Sequence, residues 1–197
     1  VGVVFFAIAG ALAAGRKRMD LFGVVVVGCV TAIGGGTLRD VLLDVPVFWI
    51  ATPRYFLLAA AAAAATFFFG RWRRPAPKLM MYADAGGLAL FTVIGFQKGF
   101  EVTQSYSVSV VMGVATGVAG GIMRDVLAGQ IPLIFRREIY ASASLCGAVL
   151  LALASRFWGI GVLSVSISVA ATLAIRLSAI RWHLSLPVFA LDDGIEG

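Results

Sequence analysis

The stretch Gly34-Gly35-Gly36-Thr37-Leu38-Arg39-Asp40, GGGTLRD in one-letter code, lies inside one of the most apolar parts of the chain. Each glycine lowers helix propensity by about 1 kcal/mol relative to alanine. An arginine or aspartate near the centre of a bilayer is costly unless it is paired or hydrated. A segment that combines both features predicts a special position in the fold rather than an ordinary turn of helix.

A second copy of this motif follows 85 residues later. GGGTLRDVL, from Gly34 to Leu42, aligns with AGGIMRDVL, from Ala119 to Leu127. The same offset aligns further pairs, which are Gly10 with Gly95, Gly28 with Gly113, Thr31 with Thr116, and Tyr55 with Tyr140. The motif therefore belongs to an internal repeat that is much longer than one helix.

The composition is typical of a membrane protein. Of the 197 residues, 60% are hydrophobic and only 13% are charged, whereas soluble domains carry about 25% charged residues. Apolar runs of about 20 residues, long enough to cross a bilayer, recur along the chain, and one cleaved signal peptide cannot account for them. They predict seven spans, at about 1–15, 20–43, 53–70, 80–98, 105–128, 138–155 and 158–180. Since the first is short and the chain opens at Val1, we expect a few further residues before it.

We therefore predict an all-α membrane protein with one transmembrane domain over residues 1–197. Three helices, in about 1–70, repeat as three helices in about 80–155, and an extra helix at about 158–180 and a short cytoplasmic tail at 181–197 follow. Because three is odd, the second copy enters the membrane from the opposite side, an inverted repeat found in many transport proteins. The second and fifth helices, which carry the glycines, are predicted to be kinked or broken.

The basic residues predict the orientation of the chain. With the N-terminus outside and the C-terminus in the cytoplasm, most of them face inward, as the positive-inside rule requires. The inner set is Arg16, Lys17, Arg18, Arg71, Arg73, Arg74, Lys78, Arg136, Arg137, Arg176 and Arg181, and the outer set is Arg54, Lys98 and Arg156. The basic inner face is expected to attract anionic lipids. Nucleic-acid binding is not expected, because these residues lie in short loops between spans.

Two interpretations of the glycines stay open. Small residues four apart allow two helices to approach closely, so the glycines could serve packing alone. Alternatively, they interrupt the helices and leave main-chain carbonyls without helical partners along a pathway. A membrane protein tolerates such carbonyls only where they are buried in protein or face water. The candidate pore or hinge residues are Gly34, Gly35, Gly36, Gly120 and Gly121.

The charged residues of the motif are the next candidates. Adjacent residues point about 100° apart on a helix, so we do not expect Arg39 to pair well with Asp40. Instead we predict crossed pairs between the copies, Arg39 with Asp125 and Arg124 with Asp40. Such pairs could merely fix the two helices to each other, or the arginines could border a pore and set its electrostatic barrier.

Four further residues are candidates for the mouth or lining of a pathway. Asp84 is placed at the start of the fourth span, where it would cap the helix or attract cations at a pore mouth. Lys98 could shape the other mouth or extend to the interface. Thr31 and Thr116 could line a wet path or hydrogen-bond to carbonyls of their own helices.

The sequence offers no sign of an enzyme. It contains no nucleophile beside a base, no spaced metal ligands and no phosphate loop with its lysine. Cys29 and Cys146 lie in apolar segments and are interpreted as small buried hydrophobic residues. We therefore predict no catalytic residues, no metal site and no cofactor.

The motifs GGGTLRDVLL at 34–43 and AGGIMRDVLAG at 119–129 resemble those of the prokaryotic trimeric intracellular cation (TRIC) channel family. The segments at 10–23 and 84–99 are similar too. The resemblance implies a homotrimer in a prokaryotic plasma membrane, in which each protomer has its own pore beside the second and fifth helices. It implies passive conduction of monovalent cations, with potassium the main ion and sodium an alternative.

Two points qualify what the resemblance implies. Animal members carry a Lys-Glu-Val motif in the second helix and bind phosphoinositide there, and this chain has GGGTLRD at that level, so phosphoinositide binding is not expected. Some bacterial relatives carry a glycine-transporter domain label. A secondary transporter of a small solute such as glycine is therefore the alternative to a channel. A membrane scaffold without transport is a third possibility, but it would not explain the matched glycine motifs and the buried charges.

Overall fold

A computed structural model describes residues 1–73, 75–136 and 139–185. Within those ranges the chain is helical, with eight α-helices and one short 3₁₀ helix. The helices are α1 (Gly2–Arg16), α2 (Leu21–Leu42), α3 (Phe48–Ala51), α4 (Arg54–Trp72), α5 (Leu79–Thr103), α6 (Tyr106–Leu127), α7 (Ala141–Trp158) and α8 (Val162–Trp182), and the 3₁₀ helix is Leu133–Phe135. Arg74, Arg137 and the acidic tail with Asp192, Asp193 and Glu196 lie outside the described residues.

The predicted spans correspond to α1, α2 and α4 to α8. In the described part of the chain, six helices, all of these except α1, are long and apolar enough to cross a membrane. The protein is therefore a multi-pass membrane protein. Because α1 has only 15 residues, a seventh crossing stays a prediction. The short helix α3 and the 3₁₀ helix, which follow α2 and α6 at equivalent positions, were not predicted.

The starts of α2 and α6 are formed in the same way. The carboxylate of Asp20 accepts a hydrogen bond of 2.8 Å from the Gly23 amide, and the hydroxyl of Ser105 accepts one of 3.5 Å from the Val108 amide. A side-chain acceptor at this position satisfies one of the free amides of the first turn. Asp20 and Ser105 are 85 residues apart, so both copies of the repeat begin their second helix with an N-cap.

Helix packing repeats at the same offset. A side chain at Gly28 would collide with Ala63, and one at its equivalent, Gly113, would contact Ala148. Ala63 and Ala148 are themselves 85 residues apart. The second helix of each copy therefore packs on the third helix of that copy through the same pair of small residues, which confirms the predicted repeat.

At the centre of the bundle, α2 packs against α6, and each is flanked by the first helix of its own copy, α1 or α5. The extra helix α8 packs on α7 and α5, and the Ser168 hydroxyl donates a 2.8 Å hydrogen bond to the main-chain oxygen of Gly147 in α7. The helix α4 is largely exposed, with Ala59 and Ala63 its buried residues. An exposed apolar helix of this kind faces lipid or another subunit.

Both glycine-bearing helices are continuous α-helix through their motifs, α2 across Gly34–Gly36 and α6 across Gly120 and Gly121. The prediction that they are broken is wrong. Packing against neighbouring helices supplies most helical stability in a folded protein, and here it outweighs the low propensity of adjacent glycines. Whether these positions bend as hinges stays a prediction.

Candidate functional site

The two copies of the motif meet where α2 crosses α6. A Cβ at Gly35 would overlap the main-chain oxygen of Thr116, and a Cβ at Gly120 would overlap that of Thr31. The two contacts are equivalent at the 85-residue offset and show that the helices run antiparallel. We call these four residues the α2–α6 crossing. Gly35 and Gly120 are needed there because the backbones themselves are in contact.

Thr31 and Thr116 are completely buried at the crossing. Each hydroxyl donates a 2.6 Å hydrogen bond to a carbonyl four residues earlier, Thr31 to Val27 and Thr116 to Met112. This is the back-bonding that the sequence left as one of two options. In the structure both hydroxyls contact protein, and a role in lining a pathway stays a prediction.

The other motif glycines contact side chains. A Cβ at Gly34 would overlap the sulfur of Met123, one at Gly36 would lie 2.5 Å from the Phe48 ring, and one at Gly121 would overlap the Tyr140 hydroxyl. All of them therefore have a packing role. Their proposed role as a pore or hinge is a separate matter, which packing does not decide.

Arg39 pairs with its own neighbour. Its Nε and Nη2 donate hydrogen bonds of 2.8 and 2.7 Å to Oδ1 of Asp40. The second carboxylate oxygen of Asp40 accepts a 2.8 Å bond from the Phe48 amide at the start of α3. Both side chains are buried. Asp40 thus neutralises the arginine and fixes the turn that follows α2.

The second copy has the same arrangement. Arg124 Nε donates a 2.8 Å hydrogen bond to Oδ1 of Asp125, and Oδ2 of Asp125 accepts a 2.9 Å bond from the Leu133 amide. Leu133 is the equivalent of Phe48 and begins the 3₁₀ helix. In both copies the aspartate joins the motif arginine to the segment after the helix.

The predicted crossed pairs, Arg39 with Asp125 and Arg124 with Asp40, are wrong. Since α2 and α6 are antiparallel and cross at the glycines, each Arg-Asp pair lies beyond the crossing at its own end. The two pairs are separated by about twelve residues of helix rise, roughly 18 Å. The long arginine side chain instead bends around its own helix, which the 100° between adjacent residues does not prevent.

Asp84 belongs to the second motif cluster, defined as Asp84, Arg124, Asp125, Tyr140 and Arg176. Its carboxylate forms a buried ion pair with Nη1 of Arg124 and accepts a 3.3 Å hydrogen bond from the Tyr140 hydroxyl. The expected N-cap role is wrong, because α5 begins at Leu79. The side chain is fully buried, and a role at a pore mouth stays a prediction.

Arg176 is the residue that the sequence interpretation placed wrongly. The positive-inside count takes it as an inner-side cation at the end of the last span, but it lies within α8 and is completely buried. Its guanidinium stands 4.9 Å from the centre of the Tyr140 ring, and Nη1 donates a 3.2 Å hydrogen bond to the Ile139 carbonyl. An arginine within an apolar span was the available signal, and the contact joins the extra helix to the cluster.

The first motif cluster, Arg39 and Asp40, has fewer described members than the second. Among the described residues, Arg124 contacts two carboxylates, Asp84 and Asp125, and Arg39 contacts Asp40. The position equivalent to Asp84 at the 85-residue offset would precede Val1. Buried charged atoms without a hydrogen-bond partner in the described residues include Arg39 Nη1, Arg124 Nη2 and Asp84 Oδ2. Buried polar atoms are normally hydrogen-bonded, and water is one partner that would satisfy these.

Lys98 lies away from both clusters, near the C-terminal end of α5. It forms a 3.2 Å ion pair with Glu101, three residues later on the same helix. Its side chain is one-third exposed, and that of Glu101 is mostly exposed. The pair is an ordinary surface pair, and a role at a pore mouth stays a prediction.

A family model described as Glycine transporter matches residues 1–71 and 81–156, nearly the bounds of the two repeats. The UPF0126 inner membrane protein YadS of Escherichia coli strain K12 is 48% identical over 196 residues, covering 98% of this chain and 95% of YadS. The chain belongs to the UPF0126, or glycine transporter, family. The family description is a name and does not assign a substrate.

This UPF0126 protein has the fold of the TRIC channels. The structure of a TRIC orthologue from Rhodobacter sphaeroides matches it with a TM-score of 0.88 at 39% identity, covering 93% of this chain and 95% of that one. A second structure, described as showing conductance through TRIC cation channels, matches with a TM-score of 0.88 at 35% identity, covering 98% and 96%. The resemblance expected from the paired motifs is confirmed.

Proposed function

We propose that this UPF0126 protein is a passive channel for monovalent cations, chiefly potassium, with a pore inside each protomer beside α2 and α6. The observation that carries this proposal is the TRIC channel fold, shared over nearly the whole chain at more than one-third sequence identity. The proposed channel needs no cofactor, because a passive pore uses only the ion gradient.

The buried charges support a pathway along this pair of helices. Unpartnered atoms of Arg39 lie at one end of the α2–α6 crossing, and those of Asp84 and Arg124 lie at the other. In hydrocarbon such atoms would be strongly unfavourable, so they favour water beside both helices. The carboxylate oxygen of Asp84 could also contact a passing cation, whereas the arginine nitrogens can only donate to water or to another acceptor. Since the aspartates neutralise the arginines, neither end would hold an ion too tightly for conduction.

The assembly and orientation belong to the same proposal. The TRIC structures are described as trimeric channels, and we propose a homotrimer in which the exposed helices meet neighbouring protomers or lipid. We also propose a location in the prokaryotic plasma membrane with the N-terminus outside, supported by the inner-membrane relative and by the positive-inside rule. Native mass spectrometry and cysteine accessibility at each terminus would test these two statements.

Electrical recording tests the proposed function directly. The purified protein in a planar bilayer should produce unitary current steps under a KCl gradient, with a reversal potential close to that of K⁺. A reversal potential near that of Cl⁻ would contradict cation conduction. Replacing K⁺ by Na⁺ on one side would then measure the ranking of the two ions.

A glycine carrier is the alternative that the same preparation can distinguish. The inverted repeat suits a carrier as well as a channel. A carrier would exchange labelled glycine across liposomes with saturation and without unitary currents. Saturable counterflow in the absence of current steps would overturn the channel.

A further inference from the structure

A partly open cavity of about 380 Å³ is lined by residues from Ala11 to Met80, and none of its lining residues belongs to a motif cluster. Its walls are apolar and come from four helices, with Leu12 of α1, Val24 of α2, Phe67 of α4 and Met80 of α5. Its volume falls in the range of about 300–1,000 Å³ that is usual for small-molecule sites. The cavity can therefore hold a sizeable part of an apolar chain.

Two arginines line the rim of this cavity. Arg16 ends α1 and Arg71 lies in the last turn of α4, and both are exposed. One terminal nitrogen of Arg16 donates to the main-chain oxygen of Pro77, which holds its guanidinium at the cavity. An arginine has five N–H donors, so others stay available to a ligand.

The surroundings of the cavity are strongly basic. In residues 16–20, 71–73 and 75–78, there are six basic residues and one acidic residue, Asp20. Asp20 is engaged as the N-cap of α2. An anion at this end of the bundle is therefore attracted by several cations, and a membrane supplies such anions as lipid phosphates.

We propose that this cavity is a binding site for an anionic phospholipid. The phosphate lies between Arg16 and Arg71, where the planar guanidinium groups can donate paired hydrogen bonds. The upper part of one acyl chain enters the cavity between Leu12, Phe67 and Met80. This lipid site is separate from the proposed pore and does not depend on conduction.

The backbone leaves space for the ligand at two glycines that line the cavity. A Cβ at Gly15 would meet nothing within 4 Å, and one at Gly70 would lie 3.8 Å from Pro75. Neither glycine has a positive φ, so a larger residue is compatible with the helix. Because Gly15 is one of the residues that line the cavity and a Cβ there meets no atom, a leucine can be accommodated at this position without removing any charge.

Native mass spectrometry of the purified protein can test the site with two lipids. Titration with phosphatidylglycerol should show one lipid per protomer bound at least about tenfold more tightly than zwitterionic phosphatidylcholine. Replacing both rim arginines, Arg16→Gln with Arg71→Gln, should abolish this preference. Equal binding of the two lipids by the wild type would overturn the proposal.

A matched control separates a site from general attraction to a basic surface. Lys17→Gln with Arg18→Gln removes the same charge at the same end of the bundle, but neither residue lines the cavity. This control should keep the preference for phosphatidylglycerol. If the control variant loses as much affinity for phosphatidylglycerol as the rim variant, the lipid is attracted by the basic surface in general, and no specific site exists.

The steric variant tests the cavity itself. Gly15→Leu keeps every charge and should weaken phosphatidylglycerol binding about as much as loss of the two arginines. Glycerol phosphate, which has the head but no chain, should compete poorly. Unchanged lipid binding by Gly15→Leu, or equal competition by glycerol phosphate, would overturn the apolar part of the site. A thermal unfolding curve for each variant verifies that it is folded.

Discussion

Gly35 of α2 lies directly against the main-chain oxygen of Thr116 in α6. The same contact recurs between Gly120 and Thr31, so the two halves of the protein are joined by two equivalent backbone contacts. A methyl group at either glycine would have to push a whole helix away, because a main-chain oxygen cannot rotate aside. The crossing therefore fixes the distance between the two copies.

Gly35→Ala should destabilise the protein by about 1–3 kcal/mol, the usual cost of overpacking a tight interior. Gly34→Ala is the matched control on the same helix, because its Cβ would meet the flexible end of Met123 rather than backbone. The control also gains helix propensity, about 1 kcal/mol. In detergent, Gly35→Ala should have a clearly lower melting temperature than Gly34→Ala. Equal melting temperatures would contradict the packing role of Gly35.

Loss of Arg124 should destabilise the protein more than loss of Arg39. Among the described residues, Arg124→Gln leaves two buried carboxylates without their cation, Asp84 and Asp125, whereas Arg39→Gln leaves one, Asp40. Breaking a buried pair costs about 3–5 kcal/mol. Melting temperatures of the two variants measure the difference, and a lower value for Arg39→Gln would show that the clusters are ranked in the opposite order.

The exposed pair between Lys98 and Glu101 provides the contrasting case. It lies in water or at the interface, and surface pairs contribute about 0–1 kcal/mol. Lys98→Gln should therefore leave the melting temperature nearly unchanged, while Asp84→Asn on the same helix should lower it clearly. A large loss of stability in Lys98→Gln would mean that this end of α5 is buried in the assembly.

Substitutions at Tyr140 and Gly121 should have non-additive effects on the free energy of unfolding. A Cβ at Gly121 would overlap the Tyr140 hydroxyl, so Gly121→Ala should be strongly destabilising in the wild type. Tyr140→Phe alone loses one hydrogen bond to Asp84, worth about 0.5–1.5 kcal/mol. In the double variant the oxygen is gone, and the cost of Gly121→Ala should be smaller. Strict additivity in this cycle would exclude the contact.

The sequence was sufficient to predict the helices and the repeat, because both depend on patterns along the chain. Apolar runs mark the spans, and a constant offset marks equivalent residues such as Thr31 and Thr116. The pairing of Arg39 was not predictable in the same way. It depends on how an antiparallel crossing places the two motifs, and on the reach of a flexible side chain.

Asp84 and Arg176 illustrate the same limit at single residues. Asp84 was expected to begin a helix, but α5 starts five residues earlier at Leu79 and carries the carboxylate into the bundle. Arg176 falls near the end of the span predicted at about 158–180 and is counted with the inner-side cations, although its flanking sequence is apolar. Only three-dimensional contacts reveal that Tyr140 brings these two side chains into one cluster.

The reciprocal crossing has a consequence for how such a protein can arise. Each half carries both parts of the contact, a glycine and a main-chain carbonyl, on one helix: Gly35 with Thr31, and Gly120 with Thr116. Two identical half-length chains, one inserted upside down, would thus satisfy the same two contacts as a dimer. A duplication that joined them in one polypeptide would keep the junction and free the two halves to diverge, as the different residues Phe48 and Leu133 at equivalent positions illustrate.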